Sequence, residues 1–192
     1  MTRSAKALIL AGILLIASSL GILLSDRLLA KKAEKDASAI LEQLDSMLPQ
    51  RTAGVPDSYR ALQMPALQIK GQDIIAILEI PAYGVQLPVC SSWEQGRGIP
   101  RRFSGSVYDH SLIIGGTDHP EQFQCFDRID QGATVTVTDM TGAEFTYTVA
   151  EIRRSASADS EVLLDENFDL TLFTRDAYTM DYLLVRCLAG KG

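Results

Sequence analysis

Beyond Asp73 the apolar residues fall into short runs rich in β-branched and aromatic side chains, separated by turn-forming residues. IIAILEI (74–80), VQLPVC (85–90), SLIIGG (111–116), ATVTVTD (133–139), EFTYTVAEI (144–152), DLTLFT (169–174) and YLLVRC (182–187) have the length and composition of strands. Two of them alternate with a period of two: Val135 and Val137 face one way against Thr134, Thr136 and Thr138, and Phe145, Tyr147 and Val149 oppose Thr146 and Thr148. Asp139-Met140-Thr141-Gly142 between them predicts a hairpin turn. The stretch 120–129, opening on Pro120 and placing Phe123, Phe126 and Ile129 on one face, predicts a short helix, and 160–164 a single turn. Short strands with few helices predict a mainly β domain of seven to eight strands, closed into a barrel so that no edge is exposed.

The first third of the chain follows other periods. From Ala7 to Ser25 no residue is charged, a length that at helical rise approaches the ~30 Å hydrocarbon core, so an uncleaved N-terminal transmembrane helix is expected within 1–25. From 26 to 48, Ala37, Ile40, Leu41, Leu44, Met47 and Leu48 recur at three-to-four spacing, which predicts an amphipathic juxtamembrane helix ended by Pro49. Its stripe suits its own domain, a partner helix or a lipid surface equally. Gly54, Pro56 and Pro65 make 50–72 read as a linker, so the expected divisions are an anchor (1–25), a juxtamembrane helix and linker (26–72) and a barrel (73–192).

Charge sharpens this division. Residues 1–35 carry six Lys/Arg and two Asp/Glu, whereas 36–192 carry twelve against twenty-two. A body this acidic does not suit nucleic acid, whose binding rests on neutralising phosphates. Cys90, Cys125 and Cys187 are too few for a disulfide framework. No CxxC or Cys/His spacing supports a zinc site from His110, His119 and Cys125, and DENFD (165–169) has too few identifiable ligands for calcium, so no metal or other cofactor is expected.

Four stretches in series resemble the sortase family, the membrane-anchored cysteine transpeptidases that attach surface proteins to the cell wall or build pili. AILEIPAYGVQLPV is similar to its opening strand pair, PRRFSGSVYDHSLIIGG to the loop and strand leading to its histidine, QFQCFDRIDQGATVTVTDMTGAEFTYTV to its helix and hairpin, and DLTLFTRDAYTMDYLLVRC to its last two strands. Ala133 stands where the family's turn carries an acidic residue. The resemblance covers roughly 74–187 and implies a sortase-like barrel on the outer face of the membrane of a Gram-positive-type cell.

It also implies a chemistry whose atoms are missing. The family's nucleophilic cysteine position, at the end of L-T-L-x-T-C, is occupied by Arg175; the histidine position after I-I-A-G by Thr117; and the arginine position opening the last strand by Tyr182. A guanidinium stays protonated, with a pKa above ~12, and offers no lone pair to a carbonyl. Threonine cannot shuttle protons near neutral pH. The expectation is a pseudoenzyme with no intact catalytic residue, in which Arg175, Tyr182, Thr117, Asp118 and His119 are the candidate binding residues and His119 the candidate for residual proton transfer. Asp109, His110 and Ser111 are adjacent in the chain and point to alternate faces, so they cannot form a triad.

Three functional classes follow. Arg175 binds a carboxylate of a surface-protein, pilin or peptidoglycan peptide, unless Asp118 or Asp176 pairs with it and plugs the groove. Alternatively the domain scaffolds an active sortase or a pilus assembly, or it is an active transpeptidase using Cys90, Cys125 or Cys187 as a non-standard nucleophile.

Overall fold

The computed structural model describes residues 31–32, 34–48, 52–53, 63–93 and 98–190. The expected membrane anchor within 1–25 and most of the linker before residue 63 lie outside the described residues. The chain divides into two compact units, Met1–Asp36 and Ala37–Gly192. Of the first, the described residues 31–32 and 34–36 are helical. Among the described residues no helix is long and apolar enough to cross a membrane.

The second unit contains helical residues 37–47 (α1) and ten strands: β1 (Thr52–Ala53), β2 (Leu67–Ile69), β3 (Gln72–Ile80), β4 (Val85–Cys90), β5 (Arg101–Ser104), β6 (Leu112–Gly115), β7 (Thr134–Asp139), β8 (Ala143–Ser155), β9 (Leu170–Arg175) and β10 (Tyr182–Ala189). A short helix, α2 (Ser160–Leu163), and 3-10 turns at Pro81–Tyr83 and Gln124–Arg128 complete it. Eight strands close a ring in the order β3, β4, β5, β6, β9, β10, β8, β7, with β7 pairing back to β3; β1 and β2 are appended to β8 and β3. Closure leaves no open edge within the ring.

The period-two pattern sets the inside of the barrel. Leu112 and Ile114 of β6, Leu170 and Leu172 of β9, and Val185 and Cys187 of β10 belong to one buried core with Val135, Val137 and Tyr147. Tight turns hold these registers. The β7–β8 turn is organised by the fully buried Asp139 carboxylate, which accepts from the amides of Thr141 (2.8 Å) and Ala143 (3.0 Å) and from the Thr141 and Tyr108 hydroxyls. Gly142 adopts φ 85° there, a region open to residues without a Cβ.

The amphipathic stripe of α1 finds its own domain. Ala37, Ile40 and Leu44 are buried against Ile69, Ile74, Ile77, Cys90 and Ile99 on the outer face of the barrel, with Leu41 and Leu48 at the margin. Burying a side chain such as Ile40 or Leu44 contributes about 1.5–3 kcal/mol. Met47 stays half exposed.

Three local expectations change. The stretch read as a linker includes β2, whose Leu67 and Ile69 extend the sheet against β3. The four residues of β5 escaped notice because Arg-Arg-Phe-Ser is short and largely polar, yet β5 bridges β4 to β6. The helix expected over 120–129 is a turn followed by a 3-10 segment, Gln124–Arg128, that buries Cys125 and Phe126.

Candidate functional site

Three neighbouring strands bring the candidate residues to one end of the barrel. β6 runs parallel to β9 with Gly115 opposite Phe173, and β9 pairs antiparallel with β10 with Arg175 opposite Tyr182. Thr117 and Arg175 each lie two residues past the Gly115–Phe173 pair, and the Gly116 amide donates to the Phe173 carbonyl (3.0 Å).

The Arg175 side chain is exposed; its Nε donates to the Met180 carbonyl (3.1 Å) and its guanidinium lies 5.6 Å from the centre of the Tyr182 ring. Asp176 and Asp118 are engaged elsewhere. Asp176 accepts from the amides of Tyr178 (2.8 Å) and Thr179 (3.0 Å) and pairs with Arg154 (2.9 Å), which also reaches Asp127 (2.8 Å). The Thr179 amide, the Arg154 guanidinium and the Tyr178 amide hold the Asp176 carboxyl well below the usual carboxylate range. Asp118 accepts from the Ala177 amide (3.2 Å), tying the β9–β10 turn to the loop after β6. Neither Asp118 nor Asp176, the two alternatives for plugging the groove, pairs with it: among the described residues no carboxylate lies within salt-bridge distance of Arg175.

The loop after β6 is a built turn. The Thr117 amide donates to Gln122 Oε1 (3.0 Å), and the Thr117 carbonyl accepts from His119 (2.9 Å) and Phe123 (3.2 Å). The Thr117 side chain is exposed. The His119 ring accepts at Nδ1 from the Glu121 amide (3.4 Å), a contact within its own loop. Buried Gln122 donates in turn to the Gly98 carbonyl (2.8 Å).

Around Phe173 of β9, residues of β5 and of the segment after β4 form a cluster that sequence reasoning missed. Trp93 stacks on Phe173 (5.8 Å between centroids), Phe103 meets both rings edge-on, and Arg101 lies over Trp93 (4.9 Å). Gly115 makes room for this: a Cβ there would come within 2.5 Å of Trp93 and 2.6 Å of Phe173. The chain's single tryptophan and the Gly-Gly pair at 115–116 were the available signals. Beside this cluster Ile113, Phe173 and Leu184 are buried with Leu163 of α2.

All three thiols are buried. Cys90 is buried among the residues facing α1, Cys125 within the 3-10 segment itself, and Cys187 opposite Leu170 at the other end of the β9–β10 ladder. At ~3.3 Å per residue the five-residue step from 170 to 175 puts Cys187 roughly 16 Å from the Arg175 position. Burial pushes the Cys187 thiol up to about 12 and raises that of Cys125, the reverse of what activates a thiolate. Asp109, His110 and Ser111 also lie away from Thr117, before β6; the Ser111 hydroxyl donates to Asp109, and His110 Nδ1 lies 3.3 Å from Asp169. Among the described residues no three His, Cys, Asp or Glu side chains are grouped to hold a metal ion.

A closed eight-stranded barrel, with a parallel pair beside its last antiparallel ladder, defines the class of molecule. It is the sortase fold. The chain matches a sortase D5 transpeptidase of Clostridium perfringens with a TM-score of 0.57 at 18% identity, over 85% of this chain and 99% of that one. Sortase A of Corynebacterium diphtheriae matches at 0.55 and 18% identity over 85% of each chain, and sortase C1 of Streptococcus agalactiae at 0.51 and 22% over 61% and 67%. No protein-family model and no curated protein sequence matches the chain.

Proposed function

We propose that this chain is a sortase-family protein, held by residues 7–25 in the membrane with its barrel outside the cytoplasm, that binds or scaffolds surface-protein, pilus or cell-wall components without cutting them. The observation that carries this reading is the environment of Arg175. At the strand end where the resemblance expects a thiol stands an exposed guanidinium, braced by the Met180 carbonyl and the Tyr182 ring and facing no carboxylate of its own among the described residues. A guanidinium so placed offers a planar fork of donors to a ligand carboxylate and no lone pair to a peptide carbonyl. The depth of all three thiols speaks against a non-standard nucleophile.

The test is mass spectrometry of sorting-signal peptides incubated with the full chain and an amine acceptor, beside the triple variant Thr117→His, Arg175→Cys, Tyr182→Arg. The reading expects no cleavage by the unaltered protein and measurable cleavage by the variant. Cleavage by the unaltered protein overturns it and returns attention to Cys90, Cys125 and Cys187. Protease treatment of intact cells checks the compartment: a barrel protected until lysis contradicts an outside location.

A further inference from the structure

Phe173 and Arg175 are two residues apart on β9, so they share a face, the one turned away from Leu170 and Leu172 of the barrel core. At ~3.3 Å per residue that face runs from the aromatic cluster to the guanidinium position over about 6.6 Å. Trp93 and Phe103, packed on Phe173 and 5.9 Å from each other, remain 44% and 39% exposed. Two large rings open to water side by side form a contiguous apolar patch, the kind of surface that marks a contact.

Area and charge say what covers it. The open part of the two rings is roughly 200 Å², against about 800 Å² per partner in a stable protein interface, so the patch suits a short segment and not a second folded domain. Arg101 lies over Trp93 and donates to its carbonyl (2.9 Å), and neither Arg101 nor Arg175 has a carboxylate within salt-bridge distance among the described residues. In a chain of net charge −6 this apolar patch is accompanied by cations, which calls for an occupant that is apolar and anionic at once. Strand β9 ends at Arg175, and the chain beyond it folds back in a turn whose Tyr178 and Thr179 amides donate to Asp176. An extended peptide lying along β9 therefore meets the rings first and the guanidinium last, with no further strand face to follow. A free C terminus stops there, and it carries a carboxylate within one or two residues of an apolar side chain.

We propose, resting on the reading of Arg175 as a carboxylate site, that this face binds the free C terminus of a peptide: Arg175 holds the terminal carboxylate in its planar fork, and an aromatic or other bulky apolar side chain of the last two residues lies on Trp93 and Phe103. Trp93 is the chain's single tryptophan, so its fluorescence reports on the site alone. The experiment is titration of the full chain, followed by that fluorescence, with four peptides. They are N-acetyl-Ala-Gly-Phe with a free carboxylate, its C-terminal amide, N-acetyl-Ala-Gly-Gly with a free carboxylate, and Ala-Phe-Asp-Ala-Ala capped at both ends. The first is expected to give a saturable change. The amide is expected to bind at least tenfold more weakly, for loss of a charge-assisted pair, and the glycine peptide roughly three- to tenfold more weakly, for loss of the aromatic contact. The capped peptide, whose only carboxylate is internal, is expected to bind no better than the amide. In Arg175→Gln the acid and amide of the phenylalanine peptide are expected to converge, and Phe103→Thr is expected to weaken the phenylalanine peptide while sparing the glycine one. An amide within twofold of the acid, a capped peptide as tight as the free acid, or no saturable change with any peptide overturns the proposal. Those failures are separate from failure of the underlying reading, which peptide cleavage, sought by mass spectrometry in the same mixtures, overturns.

Discussion

The two ends of the β9–β10 ladder carry an arginine and a thiol, and they are built in opposite ways. At one end Arg175 faces solvent, next to a turn tied down by Asp176, Arg154 and Asp118. At the other, Cys187 is fully buried beside Leu170 and Val149, with its thiol pushed up to about 12. A thiol lies on the same ladder as Arg175, but its surroundings are those of a small core side chain. Reactivity is set by exposure and by what stabilises the charged form, so a cysteine count says little about chemistry until its place is known.

That contrast can be attacked first at Arg186, one residue from Cys187 on the opposite face of the strand. It is 2% exposed and holds Glu151, Asp165 and the Val162 carbonyl (2.7 Å). Removing one partner of a buried pair costs about 3–5 kcal/mol; because the remaining carboxylates are partly exposed and rehydrate, Arg186→Ala is expected at the lower end, about 3 kcal/mol, from the midpoint of urea unfolding with an unchanged slope. Cys187→Ser, which puts a hydroxyl where no partner waits, is expected to cost about 2 kcal/mol in the same measurement. A negligible loss would mean that this end is not the packed core described.

At the Arg175 end the expected effects on stability are smaller and concern the turn. The Asp176 carboxyl is held below its ordinary range, so its contribution is fully present above the unfolded value of about 3.9 and is lost as pH falls below that. Amide protection at Tyr178 and Thr179 is therefore expected to decline below about pH 4, and Asp176→Asn to remove that dependence. Arg175→Gln is expected to change stability by no more than about 0.5 kcal/mol, as for an exposed side chain. Its effect should fall on binding of carboxylate-bearing peptides, measured by calorimetry, and a large loss of stability would make Arg175 a structural residue instead.

Much of the barrel was legible because strand alternation leaves a direct trace. Val135, Val137, Phe145, Tyr147 and Val149 announced the β7–β8 hairpin, and Asp139 with Gly142 announced its turn. β5 was not legible, since a four-residue strand with two arginines takes its identity from the neighbours it bridges. Within the candidate site, Thr117, Arg175 and Tyr182 were named by the family resemblance of the segments that hold them. The aromatic cluster could not, because Trp93, Phe103 and Phe173 come from separate segments, and only the pairing of β5, β6 and β9 stacks them over Gly115.

The sequence by itself determined the class of fold, since period-two alternation and turn residues act over a few neighbours and survive in any single chain. It also determined that an arginine, and no thiol, follows the LTLFT run. Tertiary structure decided what those residues face. Whether α1 meets lipid, a partner or the barrel depended on an apolar outer face assembled from β2, β3 and β4. Whether Arg175 is plugged or free depended on Arg154, from a different strand, taking Asp176. Such outcomes are competitions between side chains far apart in the chain, and proximity, which decides them, comes only when the ring closes.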